Sequence, residues 1–199
     1  MPREICWIET VQEDAAGEDL ASIYAYTRAN GRPVGNLYKA FGLRPHFLKP
    51  AHDLYLAGLH EEANALPTWL LELVSTYVAI LTGCDYAAVH HGENFLCLHA
   101  DRATGERILD SLRSGSGRDD LVSKKEAAIL DYTRHLTRSP EDMTEEDINS
   151  LRLAGLTDGE ILEVNQICAM FNYWSRVING LGIQLGDESI GRYGPSDRV

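Results

Sequence analysis

Two residue types that do chemistry meet in one short segment, TGCDYAAVHHGENF (82–95): a thiol at Cys84 and imidazoles at His90 and His91. Cys84 and His91 are seven residues apart, two helical turns, and so share one face. His90 is turned about 100° away from it. Twelve residues before Cys84 stands Glu72, a lone carboxylate inside LLELV. A carboxylate in such apolar company needs a partner, and His91 is the candidate. An acid that fixes an imidazole, and an imidazole that draws a proton from a thiol, form an activated nucleophile. At the start of a helix Cys84 would also meet unpaired N–H groups and the positive end of the dipole, which favour a thiolate. Without the sulfur, the same histidine and glutamate would do general acid–base work. An inert, buried thiol is the bland alternative for Cys84.

Metal chemistry fits less well. Cys84, His91 and His99 recur on one face, but ligands two turns apart are about 10 Å from each other, too far to share one ion. No His-x-x-x-His pair is present. Neither a metal nor a cofactor is expected.

The elements that must position these groups read as helices. ASIYAYTRA (21–29) has helical apolar spacing and stops at NGRP. NLYKAFGL and HFLKPAHDLYLAGLH follow as two short helices around Arg44-Pro45, with Pro50 early in the second, where it is best tolerated. LPTWLLELVSTYVAIL (66–81) predicts a buried helix that Gly83 interrupts, and a second helix follows from about Cys84 to His99. GERILDSLRS is amphipathic, SGSGRDD is a loop, and Lys124 to Leu136 is helical again. Thr144-x-x-Asp147 and Thr157-x-x-Glu160 are capping boxes. The second opens a long apolar helix that ends at Gly180 to Gly182. Residues 187–199 read as a poorly ordered tail and residues 1–18 as an N-terminal arm. Strand-like alternation is absent, so the fold class is all-α, one domain over 1–199. LPTWLLELVSTYVAIL and LTDGEILEVNQICAMF, about ninety residues apart, also echo each other as a turn, a Glu and an apolar helix. The echo is consistent with a duplicated helical unit.

Composition narrows the partners. With 199 residues, 44% hydrophobic and 24% charged, the chain can bury a sizeable core. A formal net charge of −12 argues against nucleic acid and anionic membrane surfaces. No apolar run approaches the roughly 20 residues that span a bilayer, and MPREICWIETVQEDAAGED is no secretory signal, so a cytoplasmic location is expected. Cys6, Cys84, Cys97 and Cys168 form no Cys-x-x-Cys pair.

Leu66-Pro67, Glu72, Gly83-Cys84, Tyr86 and His91 together resemble the motif of the alkylhydroperoxidase D-like, or carboxymuconolactone decarboxylase, family. The nearer likeness is to its "uncharacterised peroxidase-related" branch. That motif has a Glu, a Cys-x-x-Cys twelve residues on, and a His four after the second Cys. Here these positions are Glu72, Cys84, Ala87 and His91, so the second sulfur is missing. VGNLYKAFGLRPHFLKPAHDLYLAGLH and GLTDGEILEVNQICAMFNYWSRVINGLGIQL are similar to the branch's opening and closing segments, with Phe171-Asn172 and Arg176 in place. The likeness runs from about Asp19 to Leu185.

The resemblance implies an alkylhydroperoxidase D-like helical bundle, a homo-oligomer built from dimers (a trimer or hexamer), and a small thiol or dithiol as reductant. It implies catalysis by Cys84, His91 and Glu72. With Ala87 in place no local disulfide can form, and the two-sulfur cycle is excluded. Three functions follow: a one-cysteine peroxidase-related oxidoreductase acting through Cys84, a non-redox enzyme using His91 and Glu72 as acid and base, and an inactive oligomeric scaffold.

Overall fold

The computed structural model describes residues 5–28, 32–117 and 120–193, and every regular element among them is helical. Nine α-helices follow in chain order: α1 (Glu18–Thr27), α2 (Asn36–Phe41), α3 (Pro45–Leu59), α4 (Thr68–Leu81), α5 (Asp85–Leu98), α6 (Arg102–Ser114), α7 (Lys124–Arg138), α8 (Glu145–Leu153) and α9 (Asp158–Leu181). Single 3-10 turns precede α1 and α8. The expected stop at Asn30-Gly31, the Arg118-Asp119 part of the expected loop and the tail beyond residue 193 lie outside the described residues.

α4 is the centre. Ten of its fourteen residues are buried, so it is apolar all round rather than on one stripe. It packs against α5, α9 and α7, and the two helices that echo each other in sequence, α4 and α9, are therefore neighbours. Its start is fixed from α9: the Glu163 carboxylate accepts the N–H groups of Ala65 and Leu66 at 2.8 and 2.9 Å. Its end is set by Gly83, whose φ of +63° would strain any other residue, and which reverses the chain into α5. Cys84 is then the residue that caps α5.

Both expected capping boxes form. Asp147 accepts the Thr144 N–H at 2.8 Å, and Glu160 accepts that of Thr157 at 2.7 Å while Thr157 Oγ1 accepts from Glu160. Ser123 and Glu126 make a third at the start of α7. Pro45 and Pro50 are both accommodated in α3, Pro45 at its first turn.

A smaller cluster, Leu20, Tyr24, Val34 and Leu48, holds α1 and α3 together at one side of the main core. The chain after α9 does not drift off as a tail. Asn36 donates to the carbonyls of Gln184 and Leu185 at 2.9 and 3.0 Å, and residues 186–193 run on along α5. The Gly-rich composition of this stretch conceals contacts made by isolated side chains, which have no period to read. The N-terminal arm is held too, by Trp7 N–H to Leu181 and Gln184 N–H to Ile5.

Candidate active site

Glu72 and His91 come together as the sequence expects. The Glu72 carboxylate, with no solvent exposure, lies 2.6 Å from His91 Nδ1 through Oε2, and its Oε1 accepts from Asn94 Nδ2 at 3.0 Å. α4 supplies the acid, and one face of α5 supplies both partners, His91 and Asn94, three residues apart. A neutral imidazole that donates through Nδ1 has its lone pair at Nε2. Phe171 meets the imidazole edge-on at 4.5 Å, and the Tyr55 ring lies 6.2 Å away.

His91 lines a cavity of about 470 Å³ between α2, α3, α5, α9 and the 186–193 segment. Several rings line it: Tyr38, Tyr55, Tyr86, Phe171 and Trp174, with His52 and His90. Buried His52 pairs with the Tyr38 hydroxyl at 2.8 Å through Nδ1. Burial and the Arg192 charge push its pKa down to about 4, so it is neutral. Burial raises the Tyr38 and Tyr55 hydroxyls above the usual phenol range. The Trp174 indole N–H is buried without a hydrogen-bond partner among the described residues. Arg32, Lys39 and Arg192 bring positive charge to a chain that is otherwise acidic, against Asp187 and Glu188.

Cys84 takes a different place. It is fully buried and does not line the cavity; the position that does is Ala87, one turn later. Burial drives the Cys84 thiol pKa upward, against the smaller opposing pull of the Ala87 N–H and the nearby Ser175 hydroxyl. The Ser175 hydroxyl lies against the sulfur too loosely to make a formed hydrogen bond. The start of a helix therefore does not suffice to favour a thiolate here, because desolvation dominates. All four cysteines are free and buried, and none lines the cavity. His99, the third member of the one-face set, bonds the Asp101 carbonyl instead. Among the described residues no three metal-ligating side chains converge.

Several cavity residues were not legible in sequence. His90, on the face turned away from Cys84, still reaches the cavity because residues 186–193 pass over it. Its Nε2 meets Glu188 at 3.0 Å, and its Nδ1 accepts the Gly191 N–H at 3.1 Å. Arg192 N–H in turn donates to Asn94 Oδ1 at 2.6 Å, which ties this segment to the residue that holds Glu72.

Among the described residues the bundle is all-helical, and it matches the alkylhydroperoxidase D-like helical fold. The sequence matches no protein-family model and no curated protein. Among solved structures, the chain is similar to an uncharacterized peroxidase-related protein from Silicibacter sp. TM1040. The TM-score is 0.77 at 18% identity, covering 94% of each chain. It is similar to a second such protein from Ralstonia eutropha JMP134, described as an alkylhydroperoxidase AhpD core, with TM-score 0.77, 18% identity and 92% and 93% coverage. The debrominase Bmp8 is also similar, with TM-score 0.71 and 17% identity over 94% of each chain. At such identities the likeness establishes the fold.

Proposed function

We propose that this protein is a non-redox acid–base enzyme of the alkylhydroperoxidase D-like family. His91 Nε2 is its base, Glu72 holds and charge-balances the ring, and the substrate is a small anionic molecule. One observation carries the reading: His91, paired with the buried Glu72, lines the cavity, and no cysteine does. The buried, up-shifted Cys84 weighs against the one-cysteine peroxidase mechanism with its external thiol or dithiol. Arg32, Lys39 and Arg192 in the wall support an anion, and the aromatic lining supports one compact ring. A form of Bmp8 was solved with 2,3,4-tribromopyrrole, a ligand of the size that about 470 Å³ admits. Among the described residues no helix is long and apolar enough to cross a membrane, and we place the protein in the cytoplasm.

The test is carbon-acid exchange in D2O. Small cyclic carboxylates with a carbonyl-activated C–H, a butenolide acetic acid among them, are incubated with the protein and followed by proton NMR. Exchange that His91→Ala reduces by about 10²-fold or more supports the reading. No exchange, together with Cys84-dependent reduction of an alkyl hydroperoxide by a dithiol, would replace it with the peroxidase. Inactivity in both assays would leave the scaffold.

A further inference from the structure

Beside the cavity a second set of titratable groups forms a line that the His91–Glu72 pair does not use. Tyr55, on α3, lines the cavity near His91. Its hydroxyl is 3.0 Å from His60 Nε2, and His60 Nδ1 is 3.0 Å from the Tyr193 hydroxyl. His60 ends α3 and lies behind the cavity wall. Tyr193, partly exposed, stands at the far end of the line. An imidazole with a phenol on each nitrogen can accept a proton at one side while releasing one at the other, provided the ring is neutral. His60 meets that condition, since burial and the Arg192 charge push its pKa down to about 3. Burial and the Glu72 charge keep Tyr55 a phenol, an acid with its proton in place.

We propose that Tyr55 is the proton donor that complements His91, and that His60 and Tyr193 return the spent proton to it from solvent. The proposal rests on the acid–base reading of the cavity. In the step, His91 Nε2 takes a proton from the substrate carbon, and the C–H electron pair moves onto the adjoining carbonyl, whose π pair settles on oxygen. That oxygen takes the Tyr55 proton. His60 Nε2–H passes its proton to the Tyr55 oxygen while the Tyr193 hydroxyl passes its own to His60 Nδ1. Tyr193 then recovers a proton from water. His60 ends neutral with its tautomer reversed, and His91 holds the carbon's proton opposite Glu72. Tyr38 and His52 make a similar pair at 2.8 Å, but both members line the cavity, and this hydrogen bond does not continue toward the surface. They therefore serve as the internal control.

The first experiment needs no substrate. Protein labelled with ¹³C at tyrosine Cζ, in equal H2O and D2O, reports the exchange of each buried hydroxyl. The Tyr55 hydroxyl should exchange faster than that of Tyr38. His60→Phe should slow it by about tenfold with Tyr38 unchanged, because a buried group without a relay exchanges only when the structure opens. Tyr193→Phe, which removes one partly exposed oxygen, should do the same if His60→Phe fails to fold. Unchanged Tyr55 exchange in the folded variant overturns the relay, whatever the cavity's chemistry.

The second experiment uses a carboxylate on which wild type acts. Carbon exchange returns the Tyr55 proton on every reversal, so it should survive in Tyr193→Phe. Conversion in which the enol leaves the protein carries that proton away and should fall by about 10²-fold, with a changed solvent isotope effect. Equal loss of both would mean a merely structural role. Absence of exchange in wild type would sink the acid–base reading alone, leaving the hydroxyl measurement to judge the relay.

Discussion

Ala87 and Cys84 stand one helical turn apart at the start of α5, yet only Ala87 reaches the cavity. Position 87 is therefore the cavity-facing one, and Cys84 is packed into the core. Ala87→Cys should restore a thiol beside His91 for about 1–3 kcal/mol or less of overpacking. Wild type, with all four thiols buried, should alkylate slowly, and the variant should gain one fast-reacting thiol per chain. It should also reduce an alkyl hydroperoxide with dihydrolipoamide faster than wild type, and Cys84→Ser in that background should remove the gain. A folded variant with no peroxidase activity would show that the cavity has diverged beyond this one residue.

Glu72 separates structure from chemistry. Glu72→Ala strands His91 Nδ1 and Asn94 Nδ2 in a buried place and should cost about 2–4 kcal/mol, read as a lower Tm. Glu72→Gln keeps the shape and an acceptor but removes the charge that balances a protonated His91. It should fold while losing about 10²-fold or more in carbon-acid exchange. Full activity in Glu72→Gln would contradict the assigned role.

The buried histidines predict an acid-side loss of stability. His52 in the unfolded chain titrates near its ordinary 6.5, and in the folded protein near 4. Its contribution is thus fully present above about pH 6.5. It shrinks as pH falls toward 4, because the unfolded chain takes up a proton the native one refuses, worth about 3 kcal/mol. His60 acts in the same direction. Denaturant melts from pH 7.5 to 4 should show this slope, and His52→Gln, which can still accept from Tyr38, should flatten it. Glu160, held near 2 by Lys125, keeps its full contribution above about pH 4.5 and loses it only as pH falls from there toward 2.

Glu188 pins the segment that closes the cavity, accepting from the Asn36 N–H at 2.7 Å and meeting His90 at 3.0 Å. Glu188→Ala should speed amide exchange at 186–193 without comparable change in α4. Gly182→Ala should act on the same region from its root. The residue sits at φ +61°, and a Cβ there would run into the Trp7 ring.

A homo-oligomer built from dimers remains the proposal for assembly, and exposed apolar side chains are its physical basis. The apolar surface of α4 is consumed within the chain, whereas Trp7, Phe47, Leu54 and Leu162 lie exposed. Light scattering at micromolar concentration should show more than a monomer. Aspartate at Phe47 or Leu162 should lower the mass if that surface is the contact.

The helices were legible because burial imposes a period. α4 and α5 fall within a few residues of 66–81 and 84–99, and Thr157 and Gly182 bound α9 as their types suggest. The Glu72–His91 pair was legible for a related reason, since a lone carboxylate in an apolar helix must find a counterpart. Tyr38, His52, Tyr55, His60, Glu188 and Arg192 were not. They come from α2, α3 and the last stretch of chain, and their convergence depends on how the α1–α3 cluster docks on the bundle. Nothing in local spacing encodes that docking. The burial of Cys84 was equally hidden, because the rotation of α5 about its axis decides whether position 84 or 87 faces inward.

The cavity's closing hydrogen bonds join residues 148 to 159 positions apart, Asn36 to Gln184, Leu185 and Glu188, and Arg32 to Gly191. The core pairs around α4 and α5 are joined over a fraction of that separation. Closing so long a loop carries an entropic cost that only a pre-formed bundle can offset. During folding the helices should therefore condense before the cavity exists. In the native ensemble the 186–193 segment should be the first to part from α5 and the last to return. The bundle would then hold its shape through many openings of the site it carries, and the release of a product need not wait for any helix to move.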